Sequence, residues 1–143
     1  MYVVLDGSTG YKTIEDLASL CFSFFDECCF VLTNPQGNAL YQGLPILSRL
    51  SLTKNGSFMV FSSINEFLEN INPEKVYVLD KSKGQEEFPD SLGNKDAIVF
   101  PDNKTKETKF KTNKELIYFK GLGEDLTLSS EASIILYEIK KRL

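Results

Sequence analysis

The sequence predicts an α/β protein with a doubly wound, mostly parallel sheet, and three observations lead there. Six short runs are wholly apolar: Tyr2–Leu5, Cys29–Leu32, Phe58–Phe61, Val76–Leu79, Ala97–Phe100 and Leu116–Phe119. Unbroken apolar runs of this length suit strands covered on both faces, as in parallel sheets. Between them lie amphipathic segments at helical spacing or long connections, the pattern of βαβ crossovers. The chain has 143 residues, 42% hydrophobic and 25% charged, which suits one core and one domain over residues 1–143.

Each element has a local reason. Asp6-Gly7-Ser8-Thr9-Gly10 follows the first strand as turn chemistry. Thr13 and Asp16 give a capping signature for the first helix, and Ile14, Leu17, Ala18, Cys21, Phe24 and Phe25 recur at helical spacing. The second strand closes at Asn34-Pro35, with a loop through Gly37 and Gly43. Pro45 is expected in the first turn of a short helix carrying Leu47 and Leu50. Asn55-Gly56 turns the chain into the third strand. Ser63 and Glu66 form a second capping box, with Ile64, Phe67, Leu68 and Ile71 on one face and Asn72-Pro73 as the stop. The stretch after Asp80, rich in Lys, Gly and Glu, reads as surface. The last helix buries Ala132, Ile135, Leu136 and Ile139 and ends near Arg142, where Lys140, Lys141 and Arg142 face the negative end of its dipole.

Composition excludes several classes of chemistry. There is no histidine, and three cysteines, two of them adjacent at Cys28 and Cys29, make neither a CxxC pair nor a disulfide framework. Ser-His-Asp, Cys-His and His-metal chemistry are thereby removed, no metal site is expected, and the cysteines are expected to be buried and reduced in a reducing cytoplasm. Net charge is −4 and the pI is about 4.9, so the molecule as a whole does not favour nucleic acid, and no DNA partner is expected. An RNA partner would need a local patch. Lys104, Lys106, Lys109, Lys111, Lys114 and Lys120 offer one, diluted by Glu107 and Glu115; the other reading is a solvated loop. No apolar run approaches the roughly 20 residues that span a bilayer, so no membrane is expected. The N-terminus already reads as a strand, so no secretory leader is expected either.

Gly7-Ser8-Thr9-Gly10-Tyr11-Lys12-Thr13 has the strand–loop–Lys-Thr–helix order of a phosphate-binding loop, and Val76–Asp80 has the form of its metal-holding strand. The register fails, because the two required glycine positions hold Asp6 and Tyr11. An acidic side chain repels polyphosphate, and Tyr11 blocks close backbone approach. A tight turn before a helix accounts for the same residues.

The last third is the most informative. Ala97–Phe100 stops at Pro101-Asp102-Asn103. Leu116–Phe119 runs into Lys120-Gly121-Leu122-Gly123-Glu124-Asp125, and Leu126-Thr127-Leu128-Ser129-Ser130-Glu131-Ala132 opens a helix. Two buried strand ends and a glycine-bearing loop before a helix make a small-ligand crevice. In order and spacing this stretch resembles the cofactor end of SPOUT-type (SpoU/TrmD-like) RNA methyltransferases. In that family a Gly-x-Glu-like loop, an Ile-Pro strand end, Gly-Glu and a Leu-Asn-Val-Ser-Val-Ala helix start follow in turn. Residues 2–33 and 43–71 match the layout of its earlier strands and helices.

The resemblance implies a C-terminal trefoil (α/β) knot, with the last helix passing through a preceding loop, and a homodimer. It implies S-adenosylmethionine as cofactor and methylation of tRNA or rRNA. It places cofactor contacts, mostly through backbone groups, at Leu79, Phe100, Pro101, Phe119, Gly121, Gly123, Leu126, Leu128 and Ser129. Gly121 and Gly123 are expected to reject a Cβ. Lys12, Asp102 and Glu124 are the candidates for a catalytic role. Phe22, Phe24, Phe25 and Phe30 would supply apolar surface to a second copy. The chain departs from the family pattern in three places. The segment from Asp6 to Lys12 lacks the family's arginine, the Gly-x-Glu turn reads Pro101-Asp102-Asn103, and Thr127 replaces an asparagine. Pro101 also lacks a backbone donor. A catalytically silent SPOUT-fold ligand-binding or protein-interaction module is therefore the alternative reading, and a degenerate nucleotide-binding Rossmann-like domain a third.

Overall fold

The computed structural model describes residues 1–102 and 108–143. Along the chain run β1 (Tyr2–Asp6), α1 (Tyr11–Phe24), β2 (Cys29–Thr33), α2 (Ala39–Lys54) and β3 (Ser57–Phe61), followed by α3 (Ile64–Ile71), β4 (Val76–Leu79), β5 (Ala97–Pro101), β6 (Leu116–Phe119) and α4 (Leu128–Lys141). The strands form one sheet in the order β3-β2-β1-β5-β4-β6, and every neighbouring pair is parallel. The parallel α/β architecture expected from the six apolar runs is present.

Alternation along the strands divides the core. Val3, Leu5, Phe30, Leu32, Ile98 and Phe100 face one side, where Ile14, Leu17 and Cys21 of α1, Leu47 of α2 and Ile135, Leu136 and Ile139 of α4 cover them. Val4, Val31, Val76, Val78 and Val99 face the other side, against Ile64, Phe67 and Leu68 of α3. Both faces are dry, which is why these strands carry no polar alternation. In register, Asp6 lies beside Thr33 on one side and Pro101 on the other, so the ends of β1, β2 and β5 meet at one edge.

The helix ends bear out one capping assignment, supply another and correct a third. Ser63 Oγ accepts from Glu66 N at 3.1 Å, and Asn72, in the left-handed region at φ 52°, ends α3. The Glu66 carboxylate does not return the bond to Ser63 but accepts from Ser62 Oγ. Thr127 Oγ1 accepts from Ser130 N at 3.2 Å and starts α4. Thr13 is not a cap: α1 begins at Tyr11 after an extended Gly10. Gly7, at φ 76°, has already reversed the chain, so Thr13 falls inside the first turn. Pro45 is likewise not in a first turn. Helix α2 starts six residues earlier at Ala39, with Pro45 inside it. That proline costs the Tyr41 carbonyl its intrahelical donor, and both residues lie on the exposed face, where water can replace it.

The expected set of three reduced cysteines is corrected. Cys21 and Cys28 form a disulfide with Cα atoms 6.2 Å apart, leaving Cys29 as the free thiol. The tight return from the end of α1 into β2 brings the two together, a proximity that linear spacing does not show. The phenylalanine cluster is also absorbed by the chain itself. Phe22, Phe25 and Phe30 are buried, and Phe24 packs against Tyr137 and under Lys140. Among the described residues, no helix is long and apolar enough to cross a membrane.

Candidate functional site

The carboxyl ends of β4, β5 and β6 open onto a cavity of about 320 Å³, at the lower end of small-ligand pockets. Parallel sheets bind ligands at this edge because the strand ends and following loops leave backbone groups free of the ladder. Val78 and Leu79 of β4 and Tyr118 of β6 form its floor, and Leu126 and Leu128, at the entry to α4, form an apolar wall. Pro101 and Asp102 close the β5 side, with Thr108 and Phe110 beyond them. The charged groups of the lining are Asp80, Lys81, Lys83, Asp102 and Glu131.

Asp80, Glu131 and the neighbouring Asp6 each have a structural setting. Asp80 Oδ1 accepts from Ser82 N at 2.9 Å, Ser82 Oγ at 2.8 Å and Lys83 N at 2.9 Å, fixing the turn after β4. Burial pushes the Asp80 carboxyl up, but these bonds and the Lys83 ammonium outweigh it and hold the group below its ordinary value. Lys83 also lies over the Tyr118 ring. Asp6, 2% exposed at the end of β1, accepts from Thr33 Oγ1 at 2.7 Å and Thr108 Oγ1 at 2.8 Å, and its carbonyl accepts from Asp102 N at 2.7 Å. It therefore ties together the loops beneath the cavity. Glu131, 1% exposed in the first turn of α4, accepts from Leu122 N at 2.6 Å and lies 3.7 Å from Lys81 Nζ.

Of the residues named from sequence, Leu79, Pro101, Asp102, Leu126 and Leu128 line the cavity. Phe100 and Phe119 are fully buried beneath it and do not line it. Gly121 does not line it but lies beside two lining residues, Lys81 and Glu131, where an added Cβ would lie 2.7 Å from Glu131 Oε2. Gly123 has room for a Cβ, the nearest atoms being on Leu126 at 3.7 Å, and its φ is not positive, so the expected intolerance does not hold there. Ser129 is half-buried on α4 and Glu124 is exposed; neither lines the cavity. Lys12 lies away from it, on α1, with Glu15 at 3.7 Å and Asp16 at 3.6 Å. The loop before α1 also directs Gly7 N onto Thr33 O at 3.0 Å, so that amide is not free for an anion.

Sequence reasoning missed Glu131, Lys81, Phe110 and Thr108. Glu131 had a signal, since it stands four residues before Ile135 on the buried face of the last helix. Phe110 had another, as the lone aromatic of a lysine-rich loop. In that loop Lys104 and Lys106 lie outside the described residues. Lys114 donates to the Pro73 carbonyl, Lys120 pairs with Glu87 at 3.1 Å, and Lys109 and Lys111 are exposed.

Solved structures share this architecture. A structure described as a "putative RNA methyltransferase from Bacillus anthracis" superposes with a TM-score of 0.70 at 21% identity, over 99% of this chain and 92% of that one. The SpoU methyltransferase AviRb from Streptomyces viridochromogenes, in complex with AdoMet, superposes with a TM-score of 0.70 at 12% identity, over 99% of this chain and 57% of that one. The protein thus has the SPOUT methyltransferase fold, as the resemblance of residues 97–139 implied. By sequence, the chain belongs to the family described as "RecB-family nuclease (DUF2122)", whose model matches residues 37–138. A relative from Methanocaldococcus jannaschii named "Putative type II restriction enzyme MjaORF1200P" is 26% identical over 150 residues, spanning 100% of this chain and 98% of the relative.

The nuclease description can be tested on the donor set. Metal-assisted phosphodiester hydrolysis needs several hard ligands converging on one cation. Among the described residues no group of three or more His, Cys, Asp or Glu side chains is placed to hold a metal ion. Asp6, Asp80 and Glu131 are each committed to backbone or hydroxyl donors. These residues do not fit a catalytic metal.

Proposed function

We propose that this chain is a SPOUT-type protein that binds S-adenosylmethionine in the cavity at the ends of β4, β5 and β6 and uses it to methylate RNA. The observation that carries the reading is the position of that cavity. It lies at the carboxyl edge of a parallel sheet, against the start of the last helix, in a chain that shares its fold with a SpoU enzyme solved with AdoMet. Leu79, Leu126 and Leu128 would wall the adenosine, and backbone groups at the strand ends would read its edges. Bound there, the cofactor supplies an electrophilic methyl group. The protein's own part is to align a nucleophile and exclude water, with Asp102 as the titratable group nearest the β5 turn.

The same reading includes one domain over residues 1–143, the C-terminal knot, a homodimer, an RNA contact through the 104–120 lysines and a cytoplasmic setting. The loop that would form the knot includes residues 103–107, outside those described.

A catalytically silent module of the same fold is the second reading, favoured by one observation: neither Arg49 nor Arg142 lines the cavity and Lys12 lies away from it. Calorimetry with S-adenosylmethionine and, separately, ATP distinguishes the ligand classes. Saturable binding of the first alone is expected; no heat at millimolar S-adenosylmethionine would reject the cofactor reading. Transfer of labelled methyl to bulk tRNA or rRNA then separates enzyme from silent module. Mg²⁺-dependent cleavage of DNA by the same preparation would favour the nuclease description instead.

A further inference from the structure

Glu131 and Lys81 are charged groups that the proposed reaction does not use, yet they meet at the cavity wall. The Glu131 carboxylate is buried, while the Lys81 side chain is 45% exposed, and the pair is 3.7 Å apart, beyond hydrogen-bond distance. Their closer contacts are to main chain. Glu131 Oε2 accepts from Leu122 N at 2.6 Å, and Lys81 Nζ donates to Gly123 O at 2.7 Å. A carboxylate and an ammonium thus hold the donor of one residue and the acceptor of the next, on the same short loop between β6 and α4. The match is chemical: charge-assisted bonds are the strong ones, and each group takes the backbone partner of the right sign. Gly121 completes the arrangement, because a Cβ there would strike both Glu131 Oε2 and Lys81 Cε, at 2.7 and 3.0 Å.

We propose that Glu131 and Lys81 form a two-point clamp that positions the 121–126 loop, and with it the Leu126–Leu128 wall, so that the cavity is shaped before its ligand arrives. The two residues come from different segments, the first turn of α4 and the turn after β4. The clamp therefore sets the distance between the two sides of the cavity that those segments carry. They act as positioning residues, through the loop and not on a reacting atom. The consequence for affinity rests on the cofactor reading above, whereas the clamp itself does not.

Hydrogen exchange at the Leu122 amide, read by NMR, tests it without ligand. Glu131→Ala should speed exchange at Leu122 about tenfold or more, the loss of one hydrogen bond to a charged acceptor, while Glu131→Gln, which keeps an acceptor, should restore most of the protection. Lys81→Met, at a half-exposed side chain, should loosen Gly123 and its neighbours with a smaller shift of the thermal midpoint than Glu131→Ala. In a protein that binds S-adenosylmethionine, Glu131→Ala and Lys81→Met should each weaken binding about fivefold or more. Unchanged exchange across 122–124 in both of these variants overturns the clamp whether or not the cofactor binds. Faster exchange with unaltered affinity overturns the positioning role. Faster exchange in a protein that binds no S-adenosylmethionine upholds the clamp and rejects the cofactor reading alone.

Discussion

Gly84 offers the sharpest test of the packing around the site. A Cβ built on it would lie 2.5 Å from Asp80 O and closer still to Lys120 N and the Phe119 carbonyl carbon. All three are main-chain atoms, so no rotamer change relieves the contact, and the turn after β4 must move away from the end of β6. The bonds at stake are Gly84 N to Asp80 O at 2.8 Å, Asp80 N to Phe119 O at 3.0 Å and Lys120 N to Glu86 O at 2.9 Å. Overpacking alone costs about 1–3 kcal/mol, and losing one or two of these bonds adds about 1 kcal/mol each. Gly84→Ala should therefore destabilise the protein by roughly 3–4 kcal/mol, a large share of the 5–15 kcal/mol typical of a domain. Gly123→Ala is the control: its Cβ would make only ordinary contact with Leu126 at 3.7 Å, and a change within about 0.5 kcal/mol is expected. Both are read by urea unfolding followed by circular dichroism. A Gly84→Ala midpoint within 1 kcal/mol of the wild type, or equal losses in the two variants, would refute the reasoning.

Three further perturbations follow from individual bonds. Thr33→Val removes one donor from the buried Asp6 carboxylate at 2.7 Å and should cost about 2 kcal/mol; a neutral result by urea unfolding would mean that the bond is not needed. Asp80 is held below its ordinary value of 3.8, with burial opposing and the bonds from Lys83 and Ser82 prevailing. Its stabilising contribution is therefore complete above about pH 3.8 and lost as pH falls through the lowered value. An Asp80→Ala variant should show a shallower loss of stability in that acid range, and identical acid profiles would exclude the effect. Breaking the Cys21–Cys28 bond, which spans seven residues, should cost about 2 kcal/mol by the loop-entropy relation. Cys21→Ser measured without reductant should match the wild type measured with it, while an intact mass showing three free thiols would contradict the pairing.

The fold was legible in the sequence because parallel strands buried on both faces must be apolar throughout. Val3, Val4, Ile98 and Val99 belong to runs that could be nothing else in a chain of this composition. The start of α4 was legible for a similarly local reason, since Leu126–Ala132 opens an amphipathic run, which Thr127 caps in the structure. Boundaries set by longer-range contacts were not. Helix α2 runs through Pro45 because Gly43 packs directly on Ile14 of α1, a tertiary contact that outweighs the local preference of proline for a first turn. The disulfide escaped notice for the same kind of reason, as it depends on how sharply the chain returns from α1 to β2.

At the site the division follows chemistry. Apolar and backbone contributors such as Leu79, Pro101 and Leu128 are fixed by strand ends and a helix start, which leave a pattern in the sequence. The polar contributors act across segments: Glu131 on the loop at Leu122, Lys81 on Gly123, and Thr33 and Thr108 on Asp6. Such pairs have no characteristic spacing, because the chain distance between partners is set by topology and not by helical or strand period. The order β3-β2-β1-β5-β4-β6 brings β5 back beside β1, and only that return sets Asp6 against the end of β5. The one polar cross-segment residue that could have been found from sequence is Glu131, a carboxylate on a face otherwise lined by Ala132, Ile135 and Ile139. A buried charge in that position needs partners. The polar groups within its reach are the main chain before α4 and a cation from the neighbouring turn, which are the two things it holds.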